Sequence, residues 1–243
     1  MKIEPKIKCH PAIFKIQDML AKIDGLRLPL HSRHDVERIL TRQATKELDY
    51  ALPSHAGHGL RTAGIADTIA QALGLTDEES HDLTLASYLH DVGLLTVPGH
   101  VIQGTGYLNA KEYCLVQTHP RIGASLLEPF AFLRRASVLI AHHHERWDGS
   151  GYPYGIRGPF IPLGARILAI ADAYDAMNVP EGSDSITRTL IKLRILQVAS
   201  GTQFDPGLVD LFCHAVSRFQ SSRLHFQQHE AHMETVQSHW REQ

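Results

Sequence analysis

The chain has 243 residues, of which 43% are hydrophobic and 21% charged, and its formal net charge is -2. This length is sufficient for one large domain with a real core, and the scattered Lys and Arg residues argue against binding of nucleic-acid polymers. The three cysteines, Cys9, Cys114 and Cys213, form no CxxC pair, which is typical of free thiols in a reducing compartment. Because no signal peptide or membrane-length apolar run is visible, we expect a soluble, cytoplasmic protein without membrane contact.

The predicted elements are almost entirely helical, which places the chain in the all-α class. Residues 1–50 are predicted to be a short helical segment that packs on the main domain or contributes to a homodimer. A broad apolar stripe over residues 57–75 predicts the first helix of the main domain, which we place at residues 51–220. Thr76 and Glu79 then form a capping box that begins a second helix over residues 77–90.

The rest of the domain alternates between helices and loops rich in Gly and Pro. Asn109 is expected to cap a helix that is disturbed near Pro120, and Asp205 to cap the last helix. Further helices are predicted over 131–144, 163–177 and 185–200, with loops at 98–107, 147–162 and 178–184. Residues 221–243 are predicted to form a polar helical tail, whose histidines we assign no chemistry.

Imidazoles and carboxylates are the groups that carry candidate chemistry in this chain. Such nitrogen and oxygen sets suit Fe, Mn or Zn, whereas thiolates are too few for a sulfur-rich site. The spacing alone is not diagnostic, because a single His on a helix is more often structural than a metal ligand. A His-Asp pair also recurs by chance, at His34-Asp35 and His81-Asp82. The candidates are His58, His90, Asp91, His119, His142, His143, His144 and Asp172.

The flanking motifs are more specific. The chain reads LHDVGLL at 89–95, QTHPRIG at 117–123, AHHHERWDGSGYP at 141–153, ARILAIADAYDAM at 165–177 and GTQFDP at 201–206. In order and spacing, these blocks resemble the HD-GYP family, a branch of the HD superfamily whose members hydrolyse cyclic di-GMP. The resemblance covers roughly residues 55–215 and implies an HD-type helical bundle with a Gly/Pro-rich GYP loop.

The resemblance also implies a site with two divalent metal ions, of which Fe or Mn fits best and Zn or Ni would be possible in purified protein. One metal would take His58, His90 and Asp172, and the other His119, His143 and His144. Asp91 would bridge them, so that a shared hydroxide attacks phosphorus, with His90 and Asp91 as the catalytic pair. His142 would then be the odd member of the His triplet, and His55 fits the first ligand position less well than His58.

Adjacent His143 and His144 lie about 100° apart on a regular helix, so a helix end or a distortion is expected there. The family pattern implies that Tyr152 of the GYP loop contacts a guanine and that Trp147 and Asp148 brace the loop.

Several positions depart from the family pattern. Leu94 stands where the family usually has a phosphate-facing Lys, Gln103 replaces another common Lys, and 178–184 lacks the usual Arg-rich segment. Arg188 and Lys192 are the remaining candidates for gripping the nucleotide. Ser54 stands where members with a third metal have Glu, so two metals are expected.

Two functions therefore remain open, apart from a simple helical bundle with structural histidines, which the matching order of ligand-type residues disfavours. The first is a metal-dependent phosphodiesterase for cyclic di-GMP or a related nucleotide. The second is a catalytically weak or silent module that binds metal and either a nucleotide or a GGDEF-domain partner. The intact ligand set favours the enzyme, whereas Leu94 and the missing arginines favour the module.

Overall fold

The computed structural model describes residues 10–27, 29–104, 107–179 and 182–218. Within these ranges the prediction of an all-α fold is confirmed, since the regular elements are helices and the β structure is limited to a bridge between Ser200 and Phe204. The predicted helical tail at 221–243 lies outside the described residues. Among the described helices, none combines the length and apolar character required to cross a bilayer.

The helices are numbered in chain order. They are α1 (Pro11–Asp24), α2 (Leu30–Ala51), α3 (His58–Leu73), α4 (Asp77–Leu89), α5 (Gly99–Ile102), α6 (Ala110–Val116), α7 (His119–Leu127), α8 (Arg134–His142), α9 (Leu163–Ala176), α10 (Ser185–Val198) and α11 (206–218).

The predicted caps form through the expected side chains. The Thr76 hydroxyl accepts from the backbone amide of Glu79, and the Glu79 carboxylate accepts from the amide of Thr76, so both halves of the capping box are present. Asn109 accepts from two amides at the start of α6, and Asp205 accepts from the amide of Gly207 at 2.9 Å. Local sequence therefore fixes where these three helices begin.

Two connections differ from the prediction. The expected loop at 98–107 contains the one-turn helix α5, because Val101 is buried in the core and holds this turn against it. The helix predicted to run through Pro120 is two helices, α6 and α7. Pro120 occupies the first turn of α7, where its missing N–H leaves no backbone hydrogen bond unmade.

The core is formed where α3 packs on α4 and α9, α4 on α8, and α7 on α8. Its fully buried side chains include Ile69 of α3, Leu85 of α4 and Ile167 of α9. Helices α1 and α2 belong to the same cluster through residues such as Leu20 and Leu48. The helix ends that carry the candidate ligands are therefore held by one continuous apolar core.

Gly93, two residues after Asp91, allows α7 to approach the end of α4. A Cβ atom at this position would lie 2.0 Å from the carbonyl oxygen of His119. Only glycine permits this contact without moving one of the two backbones. The turn that carries His90 and Asp91 can consequently lie against the first residue of α7, which is His119.

A buried pair of polar side chains joins α2 to α4. His81 Nε2 lies 2.9 Å from the carboxylate of Glu37, which also accepts from Arg33. The His34 ring is stacked on His81 with 4.1 Å between centroids. Burial and the charge of His34 outweigh the attraction of Glu37 and lower the pKa of His81 to about 4. His81 is therefore neutral in the folded protein at pH values where the unfolded chain protonates it.

This pair predicts a pH dependence of stability. Between pH about 6.5 and about 4 the unfolded chain binds a proton at His81 that the native protein does not, so stability falls as pH falls through this window. The contribution is roughly 3 kcal/mol at most. His81→Gln retains a donor for Glu37 but cannot titrate, and should flatten the decline when urea unfolding is measured across the window. His214→Gln, at an exposed position, should follow the wild-type decline; equal slopes for both variants would contradict the prediction.

Candidate metal centre

The candidate ligands come from the ends of separate helices that meet at one place. His58 is the first residue of α3, His90 and Asp91 follow α4, and His119 is the first residue of α7. His143 and His144 follow directly after α8, whereas Asp172 lies within α9. The helix end expected at the His-His pair is present, because α8 stops at His142 and His143 is its C-cap.

Backbone carbonyls orient three of the imidazoles in the same way. The Nδ1 atom of each ring bonds the carbonyl three residues earlier: His90 to Ser87 at 2.9 Å, His119 to Val116 at 2.8 Å and His143 to Ile140 at 2.7 Å. A carbonyl only accepts, so each Nδ1 carries a proton, and in the neutral ring each Nε2 then carries a lone pair. The three lone pairs face the centre of the cluster.

These three lone pairs have no suitable protein donor. Nε2 of His119 lies 3.3 Å from Nε2 of His143, so two acceptors face each other. Nε2 of His90 is buried and has no hydrogen-bond partner among the described residues. Unpaired buried acceptors are costly, and cations bound among these nitrogen atoms would satisfy them.

The carboxylates lie among these rings. Asp91 places one oxygen 3.4 Å from His90 Nε2 and the other 3.6 Å from His119 Nε2, so it faces both sides of the cluster. Asp172 Oδ1 lies 3.0 Å from His58 Nε2 and 3.8 Å from His90 Nε2. Asp91 therefore lies close to imidazoles on both sides of the cluster.

The donor atoms fall into compact sets that fit divalent cations. Within each set the ligand atoms lie within 4.8 Å of one another, and the sets are His58-His90-Asp172, His119-His143-His144 and His90-Asp91-His143. Two of these sets share no residue, and Asp91 lies between them. Mixed imidazole and carboxylate donors suit Fe, Mn and Zn, so the residues present fit a pair of such ions.

The electrostatics of the cluster keep Asp172, His143 and His144 in the forms that metals require. Burial opposes ionisation of Asp172, but a hydrogen bond from His58 and the neighbouring imidazoles prevail and lower its pKa well below the usual range. Burial and adjacent rings lower the pKa of His143, and burial lowers that of His144 to about 4. Neutral imidazoles and an ionised carboxylate are the forms that bind metal at neutral pH.

Asp175, which sequence reasoning missed, orients the first ligand. Its carboxylate lies 2.7 Å from His58 Nδ1 and accepts from Arg61 Nε at 2.8 Å. Burial lowers the pKa of His58, but the hydrogen bonds to Asp172 and Asp175 raise it to about 9 in the absence of metal. Asp175 lies three residues after Asp172 on the same helical face, a spacing that was visible in the sequence.

Asp175→Asn should weaken metal binding by about 10- to 100-fold, because the carboxylate fixes the orientation and basicity of His58. The measurement is competition for Mn²⁺ or Zn²⁺ against a chelating dye. Asp67→Asn provides the control, since Asp67 is an exposed residue of α3 that accepts from Gln71. Equal affinities of the two variants would show that Asp175 does not support the site.

The GYP loop is attached at several points to the segment that carries His144 and Glu145. The amide of Tyr152 donates to the carbonyl of His144 at 3.1 Å, and the amide of Tyr154 donates to the buried carboxylate of Glu145 at 2.8 Å. Trp147 and Asp148 bond backbone carbonyls of residues 202–203. The peptide bond between Tyr152 and Pro153 is cis. The Tyr152 ring lies 4.9 Å from that of His144.

Two other histidines lie near the cluster without belonging to the three donor sets. His142 packs on Tyr154 at 5.0 Å between ring centroids and points toward Glu145. His55 lines the cavity beside the cluster and lies 3.0 Å from the hydroxyl of Ser54. His142 is thus separated from its two neighbours in the triplet.

The cluster opens into a cavity of about 510 Å³. Leu94 and Val116 form an apolar part of its wall, and Tyr152 forms another part. Neither Arg188 nor Lys192 lines it. Arg188 donates to the carbonyl of Ser183, and Lys192 donates to the carbonyl of Tyr174 at 2.8 Å. Both side chains lie outside the cavity lining, and their assignment as nucleotide contacts stays a prediction.

Comparison with known proteins identifies the family. Residues 38–208 match the model of the HD domain. The cyclic di-GMP phosphodiesterase response regulator RpfG of Xanthomonas campestris is 38% identical over 152 residues, which cover 62% of this chain and 40% of that protein. The 3'3'-cGAMP-specific phosphodiesterase 2 of Vibrio cholerae is 34% identical over 181 residues. These residues cover 70% of this chain and 34% of that protein.

The fold comparison agrees. An HDG"Y"P protein from Bdellovibrio bacteriovorus superimposes with a TM-score of 0.57 at 19% identity, over 85% of this chain and 70% of that one. The chain spans less than half the length of the two curated relatives described above. The motifs, the bundle and the match over residues 38–208 lead to one conclusion: the chain belongs to the HD domain family.

Proposed function

We propose that the protein is a metal-dependent phosphodiesterase that hydrolyses cyclic di-GMP or a related cyclic dinucleotide such as 3'3'-cGAMP. The observation that carries this proposal is the pair of separate donor sets with Asp91 between them at the base of one cavity. Its similarity to phosphodiesterases of cyclic di-GMP and 3'3'-cGAMP supports the substrate class.

The assignment of ligands follows the donor sets. His58, His90 and Asp172 would hold one ion, and His119, His143 and His144 the other, with Asp91 shared. Divalent ions bound in this way activate water and neutralise charge on a phosphoryl group. Fe or Mn is the proposed pair, and Zn or Ni would also accept these donors.

The side chains of the chain itself contribute orientation and shape. Asp175 holds the His58 ring, while carbonyls three residues earlier hold His90, His119 and His143. His90 and Asp91 are proposed as the catalytic pair because they belong to the third donor set, which shares His90 with one of the other sets and His143 with the other. Tyr152 offers a ring at the cavity wall for contact with a base, and Leu94 and Val116 make another part of the wall apolar.

Three finer assignments belong to the proposal as well. Arg188 and Lys192 are proposed as nucleotide contacts, although in the structure each donates a hydrogen bond to a backbone carbonyl. A GGDEF-domain protein is the proposed macromolecular partner, through the GYP loop. A homodimer through residues 1–50 is the proposed assembly.

The test is made on purified protein reconstituted with Mn²⁺ or Fe²⁺. Elemental analysis should find about two metal ions per chain. Cyclic di-GMP and 3'3'-cGAMP are then incubated separately with the enzyme, and chromatography of the products distinguishes a linear dinucleotide from mononucleotides. Metal-loaded protein that hydrolyses no cyclic dinucleotide would contradict the proposal.

A silent binding module is the second candidate, and Leu94 is the observation that favours it. This side chain is only 5% exposed and lies in the cavity wall, where the family resemblance implies a lysine. A missing charge-assisted donor to a phosphate reduces transition-state stabilisation. Leu94→Lys should therefore raise kcat by about 10-fold or more if the protein is a weakened enzyme. If wild type and Leu94→Lys both bind cyclic di-GMP tightly and neither hydrolyses it, the result would support the silent binding module.

A further inference from the structure

Arg61 lies at the mouth of the cavity, one helical turn after His58 on the same face of α3. Its side chain is 57% exposed, yet it is held in place. Nε donates to Asp175 at 2.8 Å, and Nη1 donates to the carbonyl of Ala56 at 3.1 Å. A guanidinium has five N–H donors. The Nη2 donors make no hydrogen bond within the described part of the chain.

Gly57 makes this position of the guanidinium possible. Its φ of +73° is in the left-handed region that favours glycine, and a Cβ atom there would lie 2.9 Å from Arg61 Nη1. The backbone before α3 is therefore shaped so that the guanidinium lies against it. An arginine fixed by a carboxylate, a carbonyl and an adjacent glycine has little conformational freedom left to lose on binding a ligand.

Arg61 differs in charge from the carboxylates that line the cavity. Asp91, Asp172 and Asp175 contribute carboxylates to the wall. Arg61 is the one Lys or Arg side chain among the described residues that line the cavity, and Leu94 and Val116 leave another part of the wall apolar. A phosphodiester entering this space meets one permanent cation besides any bound metal. Guanidinium groups bind phosphate oxygens through two parallel N–H bonds.

We infer that Arg61 is a substrate-binding residue whose free N–H donors contact a phosphate of the incoming nucleotide. This inference rests on the proposed function for the identity of the substrate, but the chemistry recognised is a phosphate anion. Arg61 thereby supplies, from α3, the cation that the wall at Leu94 lacks. Its bond to Asp175 holds it in position and does not consume the remaining donors.

The experiment compares Arg61→Gln, Arg61→Lys and wild type in the Mn²⁺-loaded state. Two quantities are measured: KM for cyclic di-GMP, and the dissociation constant of inorganic phosphate by calorimetry. Arg61→Gln should raise both by about 10- to 100-fold. Arg61→Lys should give a smaller rise because it keeps the charge and loses the fork of donors. Mn²⁺ affinity should change by less than about 3-fold in both variants.

His143→Gln separates substrate contact from support of the metal site, because His143 belongs to two donor sets and lies outside the bonds that hold Arg61. It should weaken Mn²⁺ affinity and change phosphate affinity little once the metal is saturating, which is the opposite pattern. Arg135→Gln removes an exposed arginine that also binds carboxylates, those of Glu78 and Asp82, and should change neither quantity. Unchanged phosphate affinity in Arg61→Gln, or a loss confined to metal affinity, would overturn the inference. If wild type binds phosphate through Arg61 but hydrolyses no cyclic dinucleotide, the proposed function fails and the inference stands.

Discussion

Asp91→Asn is expected to lower kcat/KM for cyclic di-GMP by roughly 10³-fold or more in Mn²⁺-loaded protein. Asp91 has one oxygen 3.4 Å from His90 Nε2 and the other 3.6 Å from His119 Nε2. An amide at this position has one oxygen and one NH₂ group, so it cannot serve both sides as an anionic ligand. Initial rates at several substrate concentrations, together with metal content, are the measurements.

Asp82→Asn is the matched control for this loss. Asp82 lies on α4, nine residues before Asp91, and is half-buried beside Arg135. Because it lies outside the three donor sets, its amide variant should retain wild-type rates and metal content. Asp91→Asn with two bound ions and undiminished turnover would remove Asp91 from the mechanism. A loss of turnover with metal content retained would indicate a role in the reaction beyond holding the ions.

The ends of the helices were readable from sequence because local chemistry determines them. Thr76 and Asn109 cap their helices through side-chain oxygens, and the His143-His144 pair stands at a helix end. The resemblance to the HD-GYP family implied the residues of the donor sets, and all of them except Asp172 lie at or within two residues of a helix end. Neither conclusion depends on knowing how the helices pack together.

The contacts that support the candidate ligands were harder to predict from the sequence, because they depend on tertiary packing. The hydrogen bond between His58 and Asp175 joins residues 117 positions apart in the sequence. The only sequence signal for it was the three-residue spacing between Asp172 and Asp175. Glu145 was visible as part of a motif, but its role in holding the Tyr154 amide depends on the path of the GYP loop. The one-turn helix α5 was missed because burial of Val101, not local propensity, stabilises it.

Adding Mn²⁺ to metal-free protein is expected to raise Tm by about 5–10 °C at a metal concentration near one hundred times Kd. Ions that bind the native state and not the unfolded chain stabilise the former by mass action. His143→Ala should abolish most of this rise, because His143 belongs to two of the three donor sets and its Nε2 faces His119. The quantity compared is the metal-induced shift of Tm, which separates lost binding from the packing defect that the substitution itself creates.

His142→Ala is the control, since it removes the neighbouring imidazole of the same triplet. That ring packs on Tyr154 and faces Glu145, away from the donor sets, so the variant should retain the full metal-induced shift even if its metal-free Tm falls. Equal shifts in the two variants would mean that position within the triplet is irrelevant and that the bound metal lies elsewhere. A shift lost only in His143→Ala would assign metal binding to His143, whose Nδ1 is fixed by the carbonyl of Ile140.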